Sequence, residues 1–216
     1  MLRGPLPPPD RSSWRGGTRK VALVTRGGTR LGRVVTLGLA DAGYDLAVLA
    51  PGVTAEEARL ERQVGRLGRK VRLLDGAPGE ARGPDRILEE VDRGFGRLDA
   101  VVTFPGPAAT DGDPDAESIL SEPFHLVRRS AARLRDTRGS VVVCLGDAGD
   151  RATAPLRALT LALARAMAPY VRVNAVAPGD GAPPRDGDWL RAVLFVLASP
   201  HLRGEVVRVG DGDRRA

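Results

Sequence analysis

Short apolar runs alternate with amphipathic segments along most of this chain. The apolar and β-branched runs predict seven strands, at about 21–25, 44–50, 70–74, 98–103, 140–145, 171–176 and 205–209. Between them, apolar residues at helical spacing predict helices over about 31–42, 55–67, 84–95, 115–135, 155–168 and 189–198. Strands that alternate with helices at this rhythm predict the α/β class, with one doubly wound parallel sheet and helices on both faces.

The first residues of the chain do not follow this pattern. Residues 1–19 are rich in Pro, Gly and Arg and lack periodicity, so we expect a disordered tail. Residues 20–216 then form a single domain, long enough to bury a proper core.

The chain is basic, and nearly all of its basic residues are arginine. The formal net charge is +6, and only two of the 33 basic residues are lysine. Arginine in such excess is explained by compositional bias over the surface, or by an anion-binding face for nucleic acid, polyphosphate or a phosphorylated ligand. Aromatic residues make up only 4% of the chain, so stacking platforms for single-stranded nucleic acid are scarce and that alternative is not favoured.

Compartment is indicated by cysteine usage and hydropathy. The lone cysteine, Cys144, excludes an internal disulfide and suits a reducing environment. We find no apolar stretch of membrane-spanning length and no signal-peptide core. The expected location is the cytoplasm, without a membrane partner.

Four segments carry a resemblance to a known family. They read VALVTRGGTRLGR, GFGRLDAVVTFPG, VRVNAVAPG and AVLFVLASPHLRGEVVRVGDG, in this order. From Lys20 to Gly212 the chain resembles the short-chain dehydrogenase/reductases, which are NAD(P)-dependent oxidoreductases on a Rossmann fold. The resemblance implies a dinucleotide site at the carboxyl ends of the strands.

The family's glycine loop, T-G-x-x-x-G-x-G, corresponds to the segment Thr25, Arg26, Gly27, Gly28, Thr29, Arg30, Leu31 and Gly32. Arginine at position 30 resembles the pteridine-reductase branch, where it helps to hold NADPH. Arg26 replaces a glycine, and a non-glycine residue in a left-handed conformation costs about 1 to 2 kcal/mol. Arg26, Arg30 and Arg33 flank a helix N-terminus that favours anions. The loop either binds phosphate or is a vestigial turn whose glycines serve packing.

Other parts of the implied cofactor site are retained in part. The resemblance matches five further residues to it, namely Asp75, Gly106, Asn174, Pro178 and Gly179. After the second strand, where an acid would accept the ribose hydroxyls of NAD, the chain has Ala50-Pro51-Gly52. NADP(H) is therefore the expected cofactor if either dinucleotide binds.

The family's catalytic residues are missing. No Tyr-x-x-x-Lys pair exists, because position 48 is valine and position 174 is asparagine, four residues after the two tyrosines. The asparagine and serine positions correspond to Ile119 and Gly146. The tyrosine and lysine positions fall at Gly149 and Thr153, unless a deletion has removed them.

Asp147 is the one weak catalytic candidate, at the end of the fifth strand, where its alternative role is a loop or helix cap. His125 is better explained as a packing or surface residue. The loop 180–188 is too short for the family's substrate lid.

These observations support three hypotheses. The first is a degenerate family member that binds a nucleotide and acts by association as a homo-oligomer, either a dimer or a tetramer. The interface would be the helix 155–168. The apolar face of this helix is equally explained by ordinary packing against the sheet. The second is an NADPH-dependent oxidoreductase of pteridine-reductase type whose proton comes from water or Asp147. The third is a basic nucleic-acid or polyphosphate binder.

Overall fold

The computed structural model describes residues 19–50, 54–80, 82–106, 116–146, 149–179 and 183–210. The strands are β1 (Val21–Val24), β2 (Asp45–Leu49), β3 (Val71–Leu74), β4 (Ala100–Thr103), β5 (Ser140–Cys144), β6 (Arg172–Pro178) and β7 (Val206–Val209). The helices are α1 (Arg30–Asp41), α2 (Ala55–Arg66), α3 (Gly83–Phe95), α4 (Ala116–Thr137), α5 (Gly149–Met167) and α6 (Asp186–Ala198). Every predicted strand and helix is present. Residues 1–18, most of the expected tail, lie outside the described ranges.

The seven strands form one parallel sheet in the order β3-β2-β1-β4-β5-β6-β7. This order confirms the predicted doubly wound α/β fold. From β1 the chain adds β2 and then β3 on one side of the sheet. It then returns to place β4 on the other side of β1 and continues outward through β5, β6 and β7. The carboxyl ends of β1 and β4 therefore flank the position where such folds bind ligands.

The pleat of the strands divides the core into two layers. Leu23 and Val101 face a cluster that contains residues of α3, α4 and α5. Their neighbours Val24 and Val102, together with Cys144, face a second cluster that contains residues of α1, α2 and α6. Because both faces are covered by helices, the central strands β1, β4 and β5 are apolar apart from Thr103 and Ser140 at two of their ends.

Side-chain caps fix the starts of two helices beside the carboxyl edge. Thr29 caps α1, and its Oγ1 accepts a hydrogen bond from Gly32 N at 3.1 Å. A capping box starts α2: Glu57 N donates to Thr54 Oγ1 at 3.3 Å, and Thr54 N donates to a Glu57 carboxylate oxygen at 2.6 Å. Both helices thus point their N-termini at this edge.

Two helices begin at least three residues earlier than the sequence indicated. Helix α5 begins at Gly149 and carries Pro155 inside it, whereas the prediction placed its start at Pro155, since proline favours the first helical position. Helix α6 begins at Asp186 rather than Trp189. Two first-turn aspartates favour the early start of α6, because they complement the positive end of the helix dipole.

Within the described residues, no helix is long and apolar enough to cross a membrane.

Candidate functional site

A crevice opens at the carboxyl edge of the sheet, beside the ends of β1 and β4. A cavity of about 760 Å³ lies there, beside residues of α1 and α2. Its other walls are the turn 25–29, the end of β2 at 49–50, the segment 76–80, Gly106, and residues 121–122 of α4. The cavity is within the usual size range of small-molecule sites and lies at the switch point of the sheet.

The turn after β1 ties three strands together. Thr25 is buried, and its Oγ1 accepts a hydrogen bond from Phe104 N at 3.0 Å, which joins the ends of β1 and β4. Gly27 N donates to Leu49 O at 2.9 Å, at the end of β2. A Cβ on Gly27 would lie 2.0 Å from Val48 Cγ1, so only glycine fits at this position.

The last motif glycine also serves packing. A Cβ on Gly32 would lie 2.2 Å from Arg26 O, because α1 starts directly against the turn. The next residue toward the turn, Leu31, is buried in the core. Gly27 and Gly32 therefore fulfil the packing role that was one of the two interpretations of this loop.

Arg26 adopts the left-handed conformation that the missing glycine predicted. Its φ is +50°. Its Nη2 donates to Gly106 O at 2.5 Å, and its Nε lies 3.9 Å from Glu122 Oε2. The side chain therefore reaches from the turn after β1, across the crevice, to the turn after β4 and to α4.

Glu122 is a buried acid that the sequence analysis missed. It accepts a hydrogen bond from Thr103 Oγ1 at 2.9 Å. Burial raises the pKa of Glu122 above its ordinary value, while hydrogen bonds from Thr25 and Thr103 and the charge of Arg26 act in the opposite direction. The acid is thus held at the crevice by polar groups from the turn after β1 and from β4.

The two other loop arginines also have acidic partners. Arg30 Nη2 lies 3.2 Å from Asp186 Oδ1, and Arg33 Nη1 lies 2.5 Å from Glu56 Oε2. The predicted anion site is therefore compensated by acids of this chain. One member of each pair is exposed, Arg30 at 84% and Glu56 at 70% of the side chain, so an incoming phosphate could compete with the acids at small cost.

A second cavity of about 500 Å³ lies beyond the start of α1, between the end of β5 and the start of α6. Pro178, Gly179 and the buried Trp189 line it. A Cβ on Gly146 would lie 2.9 Å from Trp189 Cζ2, so the indole fills the space that a side chain at position 146 would need. Gly179 N is already used, since it donates to Val209 O at 2.6 Å.

The chain's tyrosines and lysines all lie in the described ranges and all lie at the other edge of the sheet. Lys20, Tyr44, Lys70 and Tyr170 each precede a strand by one or two residues. The strands are parallel, so these residues share the amino edge. Burial, reinforced by the charge of Asp99, raises the pKa of Tyr44 to about 12. None of the four can donate a proton at the crevice.

The positions that the resemblance assigns to catalysis carry no replacement acid in the described part of the chain. Ile119 is buried among apolar neighbours, and Thr153 lies within α5. His125 stacks edge-on against Phe124, with ring centroids 5.2 Å apart, as expected of a packing residue. Asp147 lies outside the described residues. The described chain also holds no cluster of potential metal ligands.

Asn174, which the resemblance assigns to the cofactor site, has its side chain engaged within the fold. It is fully buried; its Nδ2 donates to Leu202 O and its Oδ1 accepts from Glu205 N, both at 3.0 Å. The side-chain amide thus joins β6 to the segment before β7. Asp75 is exposed just after β3, adjacent to the crevice segment 76–80.

Two residues that shape the site, Glu122 and Trp189, were not predicted for it. The signal for Glu122 was an acid placed three residues after Ile119, on a helix face that is otherwise buried. Trp189 gave no such signal, because its contact with Gly146 joins residues that are far apart in the sequence.

Comparisons with known proteins agree with this fold. A family model described as short chain dehydrogenase-like protein matches residues 110–209. A cis-2,3-dihydrobiphenyl-2,3-diol dehydrogenase of Pseudomonas sp. strain KKS102 is 29% identical over 184 residues, which cover 74% of this chain and 65% of the relative. The chain thus spans just under two thirds of that relative's length.

Solved structures show the same architecture. An NADPH-dependent 3-quinuclidinone reductase from Rhodotorula rubra superposes with a TM-score of 0.76 at 20% identity, covering 95% of this chain and 97% of the other. A short-chain type dehydrogenase/reductase from Mycobacterium marinum gives a TM-score of 0.77 at 19% identity, covering 92% and 96%. The structural likeness establishes the fold, and the sequence matches support the short-chain dehydrogenase/reductase family.

Proposed function

We propose that this chain is a short-chain dehydrogenase/reductase-like protein that binds NADP(H) or a related adenine nucleotide and does not perform the family's hydride transfer. The observation that carries the proposal is that the crevice and the chain's tyrosines and lysines lie at opposite edges of the sheet. The carboxyl edge keeps a crevice of nucleotide size, whereas every tyrosine and lysine of the chain lies at the amino edge.

Nucleotide binding is supported by the way the crevice is built. Gly27 and Gly32 hold the turn and α1 in close contact, and the N-terminus of α1 points into the opening. Leu49 and Ala50 offer an apolar wall for a base. The residues present thus fit the adenosine half of a dinucleotide.

A preference for NADP(H) over NAD(H) is supported by charge. The segment Ala50-Pro51-Gly52 offers no acid for a free ribose 2′-hydroxyl, and Arg33 lines the cavity. Its partner Glu56 is 70% exposed at the side chain, so the pair can open toward a 2′-phosphate.

Loss of turnover is supported at the other end of the site. Gly146 stands where the family's serine polarises the substrate, and Trp189 occupies the adjoining space. General acid–base catalysis contributes about 100- to 10,000-fold in rate. This end of the site therefore lacks the hydroxyl with which the family polarises its substrate.

Association is the remaining part of the proposal. We place a homo-oligomer interface on the segment 155–168, where Leu161 is 41% exposed on α5. A large apolar side chain exposed on a regular helix is consistent with a covering partner.

Calorimetric titration of the purified chain with NADPH and NADH tests the proposal. We expect NADPH to bind about tenfold more tightly, as one charge-assisted contact to the 2′-phosphate would provide. Arg33→Gln should remove this preference. Arg191→Gln, which takes the same charge from an exposed pair on α6, should leave it unchanged.

Three outcomes would overturn the proposal. Absence of binding by either dinucleotide at millimolar concentration would remove its cofactor part. Stereospecific oxidation of NADPH with a ketone or pterin, lost in Asp147→Asn, would instead support the pteridine-reductase-type oxidoreductase. Tight, salt-sensitive DNA binding in place of nucleotide binding would support the nucleic-acid hypothesis.

A further inference from the structure

A partly exposed cation and a buried acid, Arg26 and Glu122, lie beside each other in the wall of the 760 Å³ cavity. We infer that Arg26 binds a phosphate of the nucleotide, and that Glu122 takes up a proton from solvent as the phosphate replaces it as the partner of Arg26. The inference rests on the proposed function and adds a phosphate-binding residue and a proton to it. The affinity gained from Arg26 should therefore be larger at acidic pH than at alkaline pH.

Arg26 is placed where a phosphate of the ligand is expected. Its backbone lies against the start of α1, because Thr29 N and Thr29 Oγ1 both donate to Arg26 O, at 3.0 and 2.9 Å. The start of a helix favours a phosphate through its N–H groups and its dipole. The Arg26 side chain is 27% exposed and lines the cavity, so an anion at the start of α1 can reach the guanidinium.

Glu122 is the acid that competes with such an anion for Arg26. Its Oε2 lies 3.9 Å from Arg26 Nε, and its side chain is only 10% exposed. Thr103 Oγ1 donates to Glu122 Oε1 at 2.9 Å, and Thr25 Oγ1 lies 3.5 Å from Thr103 Oγ1. Hydroxyl groups both donate and accept hydrogen bonds, so this network accommodates the carboxylate and the protonated acid alike.

The charge of Arg26 favours the ionised form of Glu122. Burial raises the pKa of Glu122, while the hydrogen bonds of Thr25 and Thr103 and the charge of Arg26 lower it. A phosphate beside Arg26 offsets that charge and adds negative charge near the carboxylate, so the pKa of Glu122 rises further in the complex. A buried acid that loses its cation becomes neutral rather than stay charged.

Arg26 is the charged group that controls this acid. Four others line the same cavity, namely Arg33, Glu56, Glu57 and Glu80. Arg33 pairs with Glu56, Glu57 belongs to the capping box of α2, and Glu80 is exposed. Those on the helices packed around Glu122 include Asp85 and Asp92 on α3, His125, Arg129 and Arg133 on α4, and Arg157 and Arg165 on α5. None of these groups shifts the pKa of Glu122, whereas Arg26 does.

Calorimetric titration with NADPH, in two buffers of different ionisation enthalpy, measures the proton. The 2′-phosphate of NADPH itself titrates near about pH 6, so the unaltered chain is compared with Glu122→Gln. We expect the unaltered chain to take up more protons than this variant, by up to about one per ligand. The ratio of their dissociation constants should approach about one toward pH 5 and reach about tenfold in favour of Glu122→Gln toward pH 9.

Two further variants separate the members of the pair from the rest of the cavity. Arg26→Gln should lose the extra proton uptake and weaken NADPH binding about tenfold, because it removes one charge-assisted contact. Glu56→Gln, which takes an acid from the other arginine pair of the same cavity, should keep the extra proton uptake.

The failures of the two proposals are distinguishable. If NADPH binds the unaltered chain and Glu122→Gln with the same proton uptake and a constant affinity ratio across this pH range, the proton-linked inference is overturned. The proposed nucleotide binding then stands. If NADPH binds neither protein, the proposed function fails, and the inference fails with it. Should Glu122→Gln not fold, equal proton uptake in Arg26→Gln and Glu56→Gln would overturn the inference instead.

Discussion

Arg26 and Glu122 each carry an energetic cost that the contact between them partly compensates. An arginine at φ +50° carries a conformational cost, and a buried glutamate carries a desolvation cost. Each compensates part of the other's cost, since the guanidinium bonds to Gly106 O and approaches the carboxylate. The loss of the first motif glycine is thus a substitution with a defined structural partner.

The buried carboxyl of Glu122 predicts a pH-dependent stability. Its pKa is raised in the folded state, so the folded chain binds the proton more tightly than the unfolded chain does. The contribution of Glu122 to stability is therefore full at acidic pH and is lost as pH rises through the folded-state pKa. Relative to Glu122→Gln, the unaltered chain should lose unfolding free energy as pH rises from about 4, near the ordinary glutamate pKa, through the higher folded-state pKa.

Urea unfolding of both proteins across this pH range measures the effect. Arg26, Thr25 and Thr103 surround the carboxyl in both proteins, so the difference isolates its titration. A difference that stays constant with pH, or one that grows in favour of the unaltered chain, would contradict the expected sign.

Gly146 and Trp189 form the second coupled pair. Gly146→Ser should destabilise the fold by about 1 to 3 kcal/mol, because its Cβ would meet the indole at 2.9 Å. Restoring the family's serine should not restore turnover. In a Trp189→Leu background, the same substitution should cost less than about 0.5 kcal/mol. Equal costs in both backgrounds, measured from urea midpoints, would show that the indole is not the obstacle.

At the scale of elements, hydrophobic periodicity predicted each strand and helix, because most of this chain's local preferences agree with its tertiary structure. The starts of α5 and α6 were less predictable. Proline at position 155 is typical of the first residue of a helix, yet α5 begins at Gly149 and includes Pro155 in its interior. Position 189 is the first apolar residue of α6, but its aspartates start the helix three residues earlier.

Substitution of Pro155 tests whether α5 begins at Gly149. A proline inside a helix lacks an N–H for the carbonyl four residues earlier, so Pro155→Ala should stabilise the chain by about 1 to 3 kcal/mol. Pro84→Ala, in the first turn of α3 where proline is tolerated, should give no gain. A neutral or destabilising Pro155→Ala, read from the urea midpoint, would place the helix start at Pro155 instead.

At the scale of the whole molecule, topology decides which residues can meet. The sequence predicted a ligand crevice at the carboxyl edge because parallel strands all end there. The sequence could not reveal that Arg26, Arg30 and Arg33 would each meet an acid, since Glu122, Asp186 and Glu56 come from three other helices. Pairings of this kind depend on packing between distant segments, which local patterns do not encode.

The surface of α5 gives the last prediction. Leu161 and Leu67 are equally exposed, at 41%, but Leu161 lies on the helix proposed as an interface and Leu67 follows α2. Leu161→Glu would bury a charge against the second copy, so we expect sedimentation velocity to show at least about a tenfold rise in the dissociation constant of the oligomer. Leu67→Glu, an identical change outside that helix, should leave association unaltered. A monomeric unaltered chain, or equal effects of the two substitutions, would remove α5 as the site of association and return its apolar face to packing within the fold.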